Sequence, residues 1–335
     1  MSEDKHTSTD PHGENPFDDV RDLIAKIPHP EPQFSQELEV KFASLSGRPH
    51  PLGSLQERLA WLANWQATAQ PKIERPLIAV FAASHDVARE LGADDIVGTA
   101  LARVKNTTEG SAGVRGIAQN IGAAFKVYEL GVEYPCANMT KEPSLSAAEC
   151  AAAMAFGMEV VAEGADIIAL GSTGFGSATA AAGVARALYG GTTEFWARGK
   201  GKYSDMRIEA VAKAAELHRD IIGDPLEVLR CYGGRDIAGM VGAILAARIQ
   251  SIPVVLDGFV TCAAAAILHK SDPLAISHCL AGHLTQEPAH GALLDRLGLT
   301  PLHSMQIGIG DGTGAAMALS TLKSATEAIN TLFSA

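Results

Sequence analysis

The spacing of apolar residues changes character near residue 76. Before it, DDVRDLIAKI and SLQERLAWLANWQATAQ place their large apolar side chains at helical intervals, and the proline-bearing joints PHPEP and RPHPLG separate them. Residues 1–16 are polar throughout and predict a disordered tail, which leaves 17–70 as an N-terminal helical segment. PLIAVFAAS (76–84) is a continuous apolar run with β-branched members that closes on small and polar residues, the pattern of a buried strand. AFKVYELGVE (124–133) predicts a second strand. SAAECAAAMAFGMEVVAEG (146–164) opens with Ser146 and Glu149 at capping-box spacing and closes on glycine, so it predicts a helix.

Three later units share one design. ADIIALGSTGFGSATAAAGVARAL (165–188), IPVVLDGFVTCAAAAIL (252–268) and MQIGIGDGTGAAMALSTL (305–322) each read as strand, glycine-bearing turn and small-residue helix. Strands that alternate with helices predict an α/β fold with a mainly parallel, Rossmann-like sheet flanked by helices. In such sheets a ligand sits beyond the carboxyl ends of the strands, where these three turns would gather.

Composition narrows the function classes. The chain has 335 residues, enough to bury a core without staples, and is 47% hydrophobic and 19% charged. A net charge of −11 argues against general affinity for nucleic acid or anionic membrane. Cys136, Cys150, Cys231, Cys262 and Cys279 form no CxxC pair and read as reduced, packed residues. The polar, acidic start is neither a signal nor a transit peptide, and no unbroken apolar stretch is long enough to span a bilayer. A cytoplasmic protein with no membrane or nucleic-acid partner is the expectation.

Chemistry concentrates in the turns. In GSTGFGSAT, Gly174 and Gly176 would let backbone amides approach a ligand, and Ser177 and Thr179 open a helix whose start favours an anion. A tight turn needing positive φ accounts equally for the glycines. No GK[ST] follows, so this is not a Walker loop, and the dinucleotide fingerprint is weak, with only Glu194 near the required distance. In CYGGRDIAG, Asp236 follows Arg235 at a helix start and reads as a cap. Asp257 ends a strand in VVLDGF, a position equally suited to a functional acid or a plain Asp-Gly turn. Arg207 is a phosphate cation or a solvated helix residue. Histidines 278, 283, 290 and 303 lack metal-ligand spacing, so no metal is expected. GIGDGTGAA sets one carboxylate, Asp311, between Gly310 and Gly312.

Taken together, GGRDIAGMVGAILAAR, IPVVLDGFVTCAAAAIL, the EPAH at 287–290 and GDGTGAAMAL, in this order, resemble the nicotinate-nucleotide–dimethylbenzimidazole phosphoribosyltransferase family across residues 50–330. The resemblance implies a large α/β domain (71–325) and a small helical domain built from 17–70 and the C-terminal helix end (326–335). It also implies a homodimer and a reaction that needs no cofactor. The substrates would be nicotinate mononucleotide and an aromatic base. On this resemblance Asp311 stands where the family has a glutamate acting as general base. Ser172 replaces a second family acid and Ser177 an asparagine. Ser84 and His85, in SHDV, match a segment that lines the base pocket, while ELGADD departs from the family there. Arg207 matches a phosphate-binding lysine, with Gly174, Gly176, Ser177, Thr179, Gly310 and Gly312 around the nucleotide. Two readings follow: an active transferase, or a degenerate paralogue that binds nucleotide or base, or pairs with an active subunit, without catalysis.

Overall fold

A computed structural model describes residues 15–28, 32–44, 52–110, 112–199, 201, 203–221 and 223–333. The expected tail, apart from its last two residues, lies outside the described residues, as do parts of the two proline-bearing joints.

Among the described residues, five strands form one sheet: β1 (Pro76–Ala82), β2 (Ala124–Glu129), β3 (Ile167–Ser172), β4 (Val254–Leu256) and β5 (Cys279–Ala281). Their order is β2-β1-β3-β4-β5 and every pairing is parallel. β1 and β3 are buried along their whole length, which explains their unbroken apolar sequences; β2, at an edge, is mostly open to solvent.

Alternate residues of β1 face opposite layers. Leu77, Ala79 and Phe81 pack with the core of helices Ala147–Met158, Ser177–Tyr189, Gly234–Ile249 and Phe259–Ser271. Ile78 and Val80 pack with Val114 and Ala118 on one side and with Ala315, Leu319 and Leu322 of helix Thr313–Phe333. Small residues permit the close approach of these helices. A Cβ added to Gly242 would fall 1.9 Å from the Met154 carbonyl oxygen, so only glycine fits where the two helices cross. The predicted capping box at Ser146 and Glu149 is formed.

A further apolar cluster joins both ends of the chain. Leu38 and Phe42 meet Leu59 and Ala63, and Ala325 and Ile329 of the C-terminal helix close the group. The boundary expected at 325/326 falls inside that continuous helix.

One expected strand is absent. The third strand-turn-helix unit has its helix, but 304–310 has no strand assigned and carries exposed Met305 and Ile309. After His303 pairs with His283 beside β5, the chain crosses over the sheet's carboxyl edge instead of extending it. The Gly310 carbonyl accepts from the Ser172 amide at the end of β3, in the middle of the sheet. The strand next to β4 is instead Cys279–Ala281, which ends the short stretch ISHCLA, interrupted by Ser277 and His278.

Candidate active site

The connection leaving β1 runs to β2 on one side and the connection leaving β3 runs to β4 on the other, so the sheet has its switch point between β1 and β3. Chain leaving β1 carries Ser84 and His85, and chain leaving β3 carries Thr173 to Ser177. Asp236, in the first turn of Gly234–Ile249, enters the gap between them. His85 Nε2 lies 2.8 Å from Asp236 Oδ1, which also accepts the Ile237 amide at 2.9 Å. The Ser177 hydroxyl donates to Oδ2 at 2.5 Å and the Ser172 hydroxyl approaches the same oxygen at 3.4 Å.

Asp236 is fully buried. Burial opposes its ionisation, but the adjacent His85 and the donors Ser177 and Ile237 outweigh it and hold the carboxyl below its usual range. The arrangement is not a nucleophile triad. The Ser177 hydroxyl lies 3.3 Å from His85 Nε2, but the hydroxyl and Nε2 both make their shorter contact to Asp236, so the acid sits on the same ring nitrogen as the serine instead of orienting the imidazole from its other nitrogen. Two glycines of the turns are explained by this cluster. A Cβ on Gly174 would lie 2.2 Å from Ser177 Oγ and 2.3 Å from Asp236 Oδ2, and one on Gly234 would lie 2.4 Å from the His85 ring.

Two cavities adjoin above the cluster, of 280 Å³ and 630 Å³. Arg103, Gly174, Ala178, Gln286 and Glu287 belong to both walls. The smaller adds Ser172, Ser177 and Gly310 with apolar Phe259, Ile307 and Ile309; the larger adds Leu91, Asp94, Phe175, Tyr203 and Arg207. The start of helix Ser177–Tyr189 lies between them, and its first amides have no acceptor within the helix. Arg103 donates to the Gly174 carbonyl at 3.1 Å and sits 4.8 Å over the Phe175 ring. Arg207, only 7% exposed, gives one nitrogen to Glu287 Oε1 and another to the Ala178 carbonyl, each at 2.8 Å.

Asp311 sits just beyond the smaller cavity's wall, at the start of helix Thr313–Phe333. Its Oδ1 accepts the Thr313 amide at 3.1 Å and the Thr313 hydroxyl. Asp257 accepts the Gly312 amide at 3.1 Å and the Ala315 amide at 2.7 Å, so two carboxylates complement one helix start. Burial raises the Asp311 pKa, the Thr313 hydrogen bonds lower it, and the charge of Asp257 raises it again, for a net value above the usual one. His290 accepts the Thr285 amide at Nδ1, and burial pushes its pKa down to about 4, so it is a neutral packed residue.

Residues 27–335 match the model of a protein family described as a phosphoribosyltransferase. The chain belongs to this family. It is 44% identical to the nicotinate-nucleotide–dimethylbenzimidazole phosphoribosyltransferase of Rhizobium rhizogenes, over 92% of this chain and 93% of that one. The same identity relates it to the enzyme of that name from Methylocella silvestris, over 92% of each chain. A crystal structure of the phosphoribosyltransferase of that name from Thermus thermophilus superposes with a TM-score of 0.82 at 31% identity, covering 88% of this chain and 95% of that one.

In this phosphoribosyltransferase the expected site residues divide into two groups. Ser172, Gly174, Ser177 and Gly310 line the smaller cavity, and Gly174, Gly176, Thr179 and Arg207 line the larger. Ser84 and His85 lie behind the wall, not on it: Ser84 donates to the Val132 carbonyl at 2.7 Å and His85 faces Asp236. The Gly312 amide is taken by Asp257 and is not free for a ligand. Arg207 is neither solvated nor free, being paired with Glu287. Asp236, expected as a simple cap, proves to be the centre of the buried cluster. Glu287 and Arg103, both on the shared wall, carried no local sequence signal beyond the EPAH stretch.

Proposed function

We propose that this phosphoribosyltransferase moves phosphoribose from nicotinate mononucleotide to 5,6-dimethylbenzimidazole or a related aromatic base, giving α-ribazole phosphate and nicotinate. The observation that carries the reading, beside family membership, is the pair of adjoining cavities at the switch point with a helix start between them. The larger has room for a nucleotide, with Arg207 and the 177–178 amides near its phosphate. The smaller, walled by Phe259, Ile307 and Ile309, suits a flat aromatic acceptor.

An acceptor ring nitrogen attacks the anomeric carbon as the bond from that carbon to the nicotinate ring nitrogen breaks. The bonding pair returns to that nitrogen and leaves nicotinate with a neutral ring nitrogen. The acceptor loses the proton on its other ring nitrogen, and Asp311 is the proposed base. Its raised pKa supports that role, because a carboxylate of higher proton affinity is the better acceptor. We place the protein in the cytoplasm as a homodimer, on the resemblance alone. Among the described residues no helix is long and apolar enough to cross a membrane.

A second reading, binding without turnover, is favoured by two features. Asp311 is already engaged by Thr313, and Ser172 presents a hydroxyl, not a carboxylate, to the cavity. Nicotinate release from nicotinate mononucleotide, assayed with a panel of benzimidazoles and phenols, separates the two. Release that depends on acceptor supports transfer; nucleotide binding without release supports the second reading.

A further inference from the structure

The Arg207–Glu287 pair is unusual for its place. Both side chains are largely withdrawn from water, at 8% and 20% exposure, yet both stand on the wall of the larger cavity. Glu287 also stands on the wall of the smaller one. Among the described residues, Arg207 Nε is a buried donor without an acceptor. A guanidinium with an unmet donor beside a helix start is built to take another anion. A buried charge pair that loses one partner must find a replacement, so an incoming anion and Glu287 compete for the same cation.

We propose that Glu287 is an exchangeable counter-ion: an anionic phosphate monoester takes Arg207 from it, and the freed carboxylate turns to the smaller cavity. This rests on the nucleotide reading above. On Arg207 one anion replaces another, and the displaced Glu287 carries its negative charge toward the smaller cavity. The released carboxylate then lies beside the acceptor only when a nucleotide is in place, next to positive charge that develops on ribose and attacking ring. An empty enzyme keeps that carboxylate neutralised, and nucleotide arrival prepares the acceptor site. Glu287 thus acts on the reaction through the ligand that displaces it.

Glu287→Gln separates this from a structural role. Calorimetry with nicotinate mononucleotide, and separately with inorganic phosphate, should show affinity rising about tenfold as the competing carboxylate is removed. Turnover of the bound nucleotide should fall about tenfold or more, the size of a lost electrostatic contact to a transition state. A merely structural pair would lose affinity and turnover together. Arg207→Ala should weaken both ligands. Glu287→Asp, which keeps the charge at shorter reach, should move affinity in the same direction by less and guards against a misfolded glutamine variant. Unchanged or weaker phosphate binding in both Glu287 variants overturns the exchange, and so does tighter binding with full turnover. If wild type binds phosphate but not the nucleotide, and Glu287→Gln still tightens phosphate, the nucleotide reading falls while the exchange stands.

Discussion

His85 and Asp236 are 151 residues apart in sequence and 2.8 Å apart in space. The contact ties the end of β1 to the start of helix Gly234–Ile249, and Ser177 ties the chain after β3 to the same carboxylate. One buried acid therefore fixes three chain segments that frame the cavities.

Removing that acid should loosen the whole switch point. Asp236→Ala leaves His85, Ser177 and the Ile237 amide without their acceptor, a loss of about 3 kcal/mol in denaturant unfolding. Asp236→Asn keeps an acceptor for His85 and should lose less. The Asp236 pKa is depressed in the fold, so its stabilisation is present above the ordinary value of 3.8 and is lost as pH falls from there through the depressed folded value. Wild type should accordingly lose stability more steeply than Asp236→Asn in that acid range. Parallel acid unfolding curves would show that the carboxylate is not held as described.

Gly174 offers a steric test of the same cluster. Its Cβ would overlap both Ser177 Oγ and Asp236 Oδ2, neither of which can retreat without breaking a hydrogen bond. Gly174→Ala should cost about 1–3 kcal/mol, the range for overpacking. A variant with an unchanged thermal midpoint would mean that the turn has slack that the structure does not show.

How much of this was legible beforehand follows from range. β1, β3 and β4 announced themselves because strands buried on both faces need unbroken apolar runs, and the Ser146 helix announced itself by a three-residue capping signal. The expected strand at 305–309 failed because apolar alternation records burial or contact with a neighbour, not a place in the ladder. Met305 and Ile309 lie exposed on a crossing segment. β5 has the same three-residue length as β4, but it follows the polar Ser277 and His278 and lacks the longer apolar run IPVVL in which β4 sits. Asp236 looked like a cap because its partners come from segments about 60 and 150 residues away, which no local spacing can encode. Glu287 was hidden for the same reason: Arg207 is 80 residues upstream.

Asp311→Asn tests the base. The amide keeps the acceptor for Thr313 but cannot take a proton, so turnover should vanish while nucleotide affinity stays nearly intact. In wild type kcat/KM should rise with pH through an inflection above the ordinary carboxyl value of 3.8, because burial and Asp257 raise the Asp311 pKa. Stability carries the opposite sign. A group whose folded pKa is raised contributes fully at low pH, and that contribution is lost as pH rises through the folded value. The asparagine variant, measured by denaturant unfolding, should therefore compare best with wild type near neutrality. An asparagine variant with most of its activity would reduce Asp311 to a helix cap.

The remaining prediction joins the two positions, 311 and 172, where the resemblance implies a family glutamate. Asp311 and Ser172 are physically linked, since the Ser172 amide donates to the Gly310 carbonyl at 2.9 Å and Gly171 lies against Gly312 too closely for any Cβ. Asp311→Glu extends the carboxylate by one methylene. Misplacement of about 1 Å can cost a hundredfold, so partial recovery of reach should raise the rate of dimethylbenzimidazole ribosylation about tenfold. Ser172→Glu is less simple. Its carboxylate would start near Asp236 Oδ2, 3.4 Å from the present hydroxyl, where a second negative charge is costly. The new side chain must therefore turn into the smaller cavity, which is also where a second acid would face positive charge developing on the acceptor. Ser172→Glu should lower stability by about 1–2 kcal/mol through that like-charge contact and still raise the rate. The pair should be non-additive in rate, because both carboxylates act on one transition state. If wild type, both single variants and the double variant all leave nicotinate attached while nicotinate mononucleotide binds normally, the transfer reading fails, and the chain holds its ligand without turning it over.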